Sequence, residues 1–268
     1  MTRRVAVALV PLGLLLLLAL LGQWLWPSDP FAQHPAARLL DPSAAHPLGT
    51  DAFGRDLLAR LLLGARWSLA GAAAVCGGTS LLGFAVGALA ATGQRTTDAV
   101  IGRAVEALLA MPGLVMTLAL GAVLGPSFQN LVVAFIVTGW PGYARLSRAL
   151  VLEERGQAYV ESAVAIGAAR PRIVVRHILP NVVGPAAVLA TGDFGRVVLG
   201  LAALSFLGFG MQPPTPEWGA MINEARSSFQ SHPWQMLAPG LCIVLTVLGV
   251  NLAGDAIRDH LDPRTRRR

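Results

Sequence analysis

Long apolar runs alternate with short polar segments along the whole chain. They cover Val5 to Trp26, Trp67 to Thr92, Ala104 to Leu124, Asn130 to Leu146, Val182 to Phe209 and Met236 to Ala253. The first reaches about 33 Å at about 1.5 Å per residue, enough to cross a hydrocarbon core of about 30 Å. The pattern predicts an all-α integral membrane protein: one membrane domain over residues 1–268 with six transmembrane helices. Gly77-Gly78, Met111-Pro112-Gly113 and Trp140-Pro141-Gly142 interrupt the runs in ways that packed membrane helices tolerate. The opening MTRR and its leucine run also have the outline of a signal peptide. No A-x-A site follows promptly, however, and Trp24 and Trp26 have the character of interfacial anchors, so the run is read as a retained span.

Charge then sets the orientation. With the N-terminus in the cytoplasm, the inner segments hold Arg3, Arg4, Arg95, Arg103, Arg145, Arg148, Arg155, Arg170, Arg172, Arg176, Arg258, Arg264 and Arg266 to Arg268. The outer segments keep only Arg38, Arg55, Arg60, Arg66 and Arg226. This asymmetry obeys the positive-inside rule and puts both termini in the cytoplasm. It makes 27–66 an external region and 147–181 a cytoplasmic loop.

Composition agrees with a membrane setting: 54% of residues are hydrophobic and 13% charged. The net charge of +6 would suit nucleic acid, but the arginines sit in short clusters between uncharged runs rather than along one surface, so no nucleic-acid partner is expected. All 21 basic residues are arginine. A G-x-x-x-x-G-K-[ST] loop needs its lysine to reach the nucleotide phosphates, so any ATP that drives this chain is bound by another subunit. Cys76 and Cys242 lie in apolar runs and read as packing residues. No nucleophile, acid-base or metal-ligand constellation stands out, and the chain is not expected to be an enzyme by itself or to hold a metal or cofactor.

Three polar features remain. From about Gln157 to Ala169 the loop reads as a short helix with Tyr159, Val160, Ala163, Ile166 and Gly167 on an apolar stripe and Ala165, Ala168 and Ala169 on a small side; Pro171 is expected to stop it. Too short to be stable alone, it must lie against something, either lipid headgroups or a partner surface. Upstream, Asp51 is a candidate N-cap for a helix with Leu57, Leu58, Leu61 and Leu62 on one face and Arg55 and Arg60 elsewhere. This helix would anchor at the outer interface or contact an external partner. Asp193 and Arg196 lie three positions apart inside the fifth run, where each charge costs roughly 2.5 to 3.5 kcal/mol on insertion scales. They are expected to neutralise each other or to line a polar path, while Glu106 is expected to pair with Arg103.

The loop sequence YVESAVAIGAARPRIVVRHILP resembles the EAA loop of permease subunits of binding-protein-dependent ABC importers, through Glu161-Ser162-Ala163, Gly167 and Leu179-Pro180. HPLGTDAFGRDLLARLLLGARWSL, WPGYARLSRALVLEERGQAYVESAVAIGA with RHILPN, LSFLGFGMQPPTPEWGAMI and NLAGDAIRDHLDPR narrow the resemblance to the dipeptide, oligopeptide and nickel group, and to the second of its two membrane subunits. Ser162 replaces the first alanine of the general motif, and Leu201 stands where a glutamate is common. The resemblance implies a type I ABC importer permease fold in the bacterial cytoplasmic (inner) membrane, among its lipids. It assigns ATPase coupling to Tyr159, Glu161, Ser162, Ala163, Gly167, Leu179 and Pro180. It also implies a second homologous permease, two ATPase subunits or domains that hold ATP and Mg, and an extracytoplasmic substrate-binding protein. Peptides are the implied cargo, with nickel chelates, glutathione or another small solute as the alternative. A stand-alone channel or secondary transporter is the distant alternative.

Overall fold

The computed structural model describes residues 19–261, together with Gly13 and Leu17; the side chains at 170, 171, 183, 185–189 and 256–261 fall outside that description. Most of the first predicted span, with Arg3, Arg4 and the basic tail from Arg264, therefore lies outside the described residues. Every regular element among those residues is helical, with one isolated bridge between Thr50 and Asp56. A helical stretch at 19–25 precedes α1 (Leu57–Thr92), α2 (Arg95–Leu109), α3 (Gly113–Leu124), α4 (Phe128–Arg155), α5 (Ala158–Ala165), α6 (Arg170–Ile173), α7 (Leu179–Phe206), α8 (Trp218–Glu224) and α9 (Trp234–Leu261).

Two helices, Leu57–Thr92 and Trp234–Asp255, are long and apolar enough to cross a membrane as they stand. The third predicted span is not one straight helix. It divides into α2 and α3, bent by 91° at the Ala110-Met111-Pro112 break. Pro112 has no N–H to give and its ring crowds the preceding turn, so the ladder cannot run through it.

The chain forms two compact units. The first combines Met1–Ala74, Leu118–Val133 and Thr191–Arg268. In it Glu217 caps α8, accepting from the backbone N–H of Gly219 and Ala220 at 3.0 and 3.1 Å and from the Ser68 hydroxyl at 2.8 Å. Trp218 is fully buried, its indole N–H donating to the Leu61 carbonyl at 3.2 Å.

In this unit the segment leading into α1 departs from the sequence expectation at its cap. The helix is capped by Asp56, whose Oδ1 accepts from Ala59 N–H at 2.8 Å, rather than by Asp51. Arg55 and Arg60 are both buried, 2% and 1% exposed. Glu224 accepts from both guanidinium groups, at 2.5 and 2.9 Å, and Asp51 adds a second carboxylate 2.6 Å from Arg55 Nε. Burial forces this pairing, because an unpaired interior cation is far costlier than a solvated one.

The second unit combines Val75–Thr117 and Ala134–Ala190. Here α1 and α4 touch backbone to backbone. A Cβ on Gly83 would lie 2.4 Å from Tyr143 Cβ, and one on Gly87 would lie 2.2 Å from the Ala144 carbonyl oxygen. Small residues four apart are the device that permits this approach in apolar surroundings. The Ser147 hydroxyl then donates to the Phe84 carbonyl at 3.0 Å, and Arg148 grips Asp98 through Nε and Nη2 at 2.5 and 2.6 Å. No ion pair joins Glu106 to Arg103 among the described residues; both are exposed beside a cleft of about 340 Å³ that Asp98 and Arg148 also line.

Candidate coupling site and a charged pair

The loop between α4 and α7 folds as a helix-turn-helix in the second unit. Eight residues form α5, and only two of the predicted apolar stripe turn inward: Val160 and Ala163 are buried with Ala91, Val151, Ile173, Ile178 and Val182. Tyr159 is partly exposed, and Ile166, predicted to lie on that stripe, is instead 85% exposed. The outward surface carries Glu161, Ser162, Val164, Ala165 and Ile166. So short a helix survives here because its inner face joins this cluster, since propensity alone does not hold eight residues helical in water.

Gly167, rather than Pro171, ends the helix. Its φ is +79°, its N–H donates to the Val164 carbonyl at 3.0 Å, and the Ala168 N–H donates to the Ala163 carbonyl at 3.1 Å. This pair of bonds is the Schellman arrangement, which needs a residue at ease with left-handed backbone. Pro171 falls in the first turn of α6, where a missing N–H costs nothing. The cue was present in the sequence, because glycine just past an apolar helix is the usual stop signal.

Tyr159 ties the ends of the loop together. Its hydroxyl donates to the Glu154 carboxylate at the end of α4, and Asn181 Nδ2 donates to the tyrosine oxygen at 2.9 Å and to the His177 carbonyl at 3.1 Å. The Glu154 bond holds the phenol above its usual value near 10. By linkage, the stability from this contact is fully present below pH 10 and is lost as pH rises through the higher folded value. We expect the phenolate absorbance of Tyr159 to appear above the ordinary tyrosine range and to move down in Glu154→Gln. Tyr143, the other of the two tyrosines, is removed as a background by Tyr143→Phe. Identical titrations with and without Glu154 would refute the bond.

Leu179 and Pro180 open α7. Five residues before it, Val174–Ile178, form a π turn, with Leu179 N–H reaching the Val174 carbonyl. Proline at 180 can neither donate to the fourth residue back nor tolerate its carbonyl nearby, which widens the turn. Arg155 Nη1 donates to the Ala91 carbonyl in the last turn of α1, a favourable place for a cation. Thus Glu161 and Ser162 are presented outward, Ala163 anchors inward, Gly167 sets the turn, and Tyr159 braces the frame against the π turn beside Leu179 and Pro180.

In the first unit Asp193 and Arg196 do face each other, Oδ1 to Nη2 at 2.9 Å. Asp193 is mostly covered, whereas the Arg196 side chain is 77% exposed in the single chain.

Residues 83–267 match the family described as binding-protein-dependent transport system inner membrane component, and the chain belongs to that family. It is a membrane permease subunit of the ABC importer class. Among its relatives, the dipeptide transport system permease protein DppC of Alkalihalophilus pseudofirmus is 40% identical over 96% of this chain and 85% of its own length. The nickel transport system permease protein NikC of Escherichia coli K12 is 39% identical over 97% and 94%. The glutathione transport system permease protein GsiD of Pectobacterium atrosepticum is 42% identical over 94% and 84%. The fold is similar to that of a chain of the inward-facing MetNI methionine ABC transporter, with a TM-score of 0.58 at 20% identity over 75% of this chain and 96% of that one.

Proposed function

We propose that the chain is one of two different, homologous membrane subunits of a peptide importer in the bacterial cytoplasmic membrane. In this reading it crosses the bilayer six times, with both termini inside. An external binding protein delivers cargo toward the side of 27–66, and two cytoplasmic ATPase subunits or domains hold ATP and Mg. The outward face of α5 seats in one of those ATPases. When ATP draws the ATPases together, α5 moves with them and carries the packed helices from an inward-facing to an outward-facing arrangement. The change is a population shift driven by tighter binding to one state.

The observation that carries this reading is the two-sided α5. One face is locked into the core by Val160 and Ala163, while the other offers Glu161 beside the exposed apolar side chains of Val164 and Ile166. A lever needs both, one face fixed to what it moves and one free for what moves it. Cargo other than peptides is the second reading, favoured by relatives named for nickel and for glutathione at the same level of identity.

Co-expression with its neighbouring permease and ATPases tests the assignment. The chain is expected to purify as an ATP-hydrolysing complex; a chain that purifies and transports alone overturns it. Within the complex, Gly167→Val forces a β-branched residue into left-handed backbone, at about 1 to 2 kcal/mol, and adds bulk at the docking surface. Gly167→Asn tolerates that backbone and adds bulk alone. Both variants are expected to insert normally and to lose cargo-stimulated hydrolysis. Wild-type coupling in the valine variant would remove α5 from the mechanism.

A further inference from the structure

We infer that Asp193, Arg196 and Asn251 form one polar strip that lines the route of a dipolar, hydrogen-bonding solute through the membrane, an inference that rests on the importer reading above. Asn251 has no assigned role, and its place follows from packing between α7 and α9. A Cβ on Gly195 would come within 3.3 Å of Val247 Cγ1 and 3.4 Å of Asn251 Oδ1, while one on Gly254 would meet Thr191 and Gly192 at 3.6 and 3.8 Å. Glycine at both crossings lets the helices close on each other. The amide of Asn251 is thereby set beside the turn of α7 that carries Asp193 and Arg196, and both Asn251 and Arg196 are exposed.

Elsewhere the exposed face of α9 is apolar. Leu241, Leu245, Leu248 and Leu252 are exposed at helical spacing, a stripe suited to acyl chains. Asn251 lies at the edge of this stripe, on the side of Gly195. In the six-span reading both lie within membrane-spanning helices, where an amide and a guanidinium exposed together need water or polar solute as their solvent, because hydrocarbon supplies no hydrogen bonds.

The chemistry of the strip suits passage rather than capture. Asp193 already neutralises Arg196, so the strip attracts no ion strongly. It still offers guanidinium N–H donors, carboxylate oxygen and an amide that both donates and accepts. A peptide bond or a zwitterion finds a partner for each end and can leave again, which conduction requires.

Cysteine accessibility in the assembled complex tests this. In a Cys76→Ala, Cys242→Ala background, Arg196→Cys, Asn251→Cys and Leu252→Cys are compared for reaction with a membrane-impermeant trimethylammonium methanethiosulfonate, in membrane vesicles, without nucleotide and after trapping with ATP and vanadate. Positions 196 and 251 are expected to react at least about tenfold faster than 252, since only a wetted thiol ionises readily. Their rates are also expected to differ between the two states. Arg196→Cys leaves Asp193 unpaired; Asn251→Cys leaves the pair intact and decides the matter if the first variant fails to assemble. Reaction at 251 no faster than at 252, in a complex that still hydrolyses ATP, overturns the strip and spares the importer reading. Failure of the chain to assemble with any ATPase removes that reading instead.

Discussion

Replacing Glu224 by glutamine is expected to cost about 3 to 5 kcal/mol, the penalty for leaving a buried ion cluster without its partner. Glu224 is the shared anion of Arg55 and Arg60, 2.5 and 2.9 Å from their Nη2 atoms. Asp51 would remain, 2.6 Å from Arg55 Nε and 3.4 Å from Arg60 Nε, so two guanidinium groups would share one carboxylate. Arg60 also donates to the carbonyls of Pro30 and Pro214, at 3.4 and 3.1 Å, which helps to solvate it but supplies no countercharge. The expected result is a sharp fall in folded yield and in melting temperature of the purified complex. Arg226→Ala, an exposed arginine two residues on, is expected to change neither. Replacing Glu224 and Arg60 together by methionine should recover much of the loss, because the remaining Arg55 keeps Asp51. If Glu224→Gln melts like the wild type, the cluster does not hold the segment before α1.

This cluster also marks where the sequence stops being readable. Arg55 and Glu224 are 169 positions apart. Nothing in the local pattern of either announces the other, and both look like ordinary interfacial charges. Burial decides the matter, and burial is a property of the folded chain. Asp193 and Arg196 were legible as a pair because their spacing puts them on one face of one helix. The position of α5 was legible for a similar reason, since its polar flanks and the motif around Glu161 are local. Its two faces were less so. The stripe through Val160, Ala163 and Ile166 assumed an ideal helix continuing past residue 165, and the turn at Gly167 ends the helix first. The third span shows the same limit: Met111-Pro112-Gly113 announced an interruption, but a right-angled bend depends on what α2 and α3 pack against.

The approach of α1 to α4 yields the second large effect, and it turns on two glycines of one helix. A Cβ at Gly87 would sit 2.2 Å from the Ala144 carbonyl oxygen and 2.7 Å from Ser147 Cβ, whereas one at Gly77 would meet nothing within 4 Å. Backbone cannot rotate out of the way as a side-chain tip can, so Gly87→Ala must push the helices apart. Overpacking of this kind costs about 1 to 3 kcal/mol, and separation would also stretch the 3.0 Å bond from Ser147 to Phe84. Gly77→Ala should be neutral or stabilising by up to about 1 kcal/mol, the helix preference of alanine over glycine. The consequence reaches the loop that carries α5, because Ala91 and Val151, one turn and a little beyond these contacts, belong to the same buried cluster as Val160 and Ala163. A displaced α4 should therefore loosen the seat of α5. Gly87→Ala is expected to lower the melting temperature and cargo-stimulated ATP hydrolysis together, and Gly87→Leu to abolish assembly. Gly77→Ala should retain both properties. Equal behaviour of the two alanine variants would mean that close contact at Gly87 does not link the membrane helices to the loop.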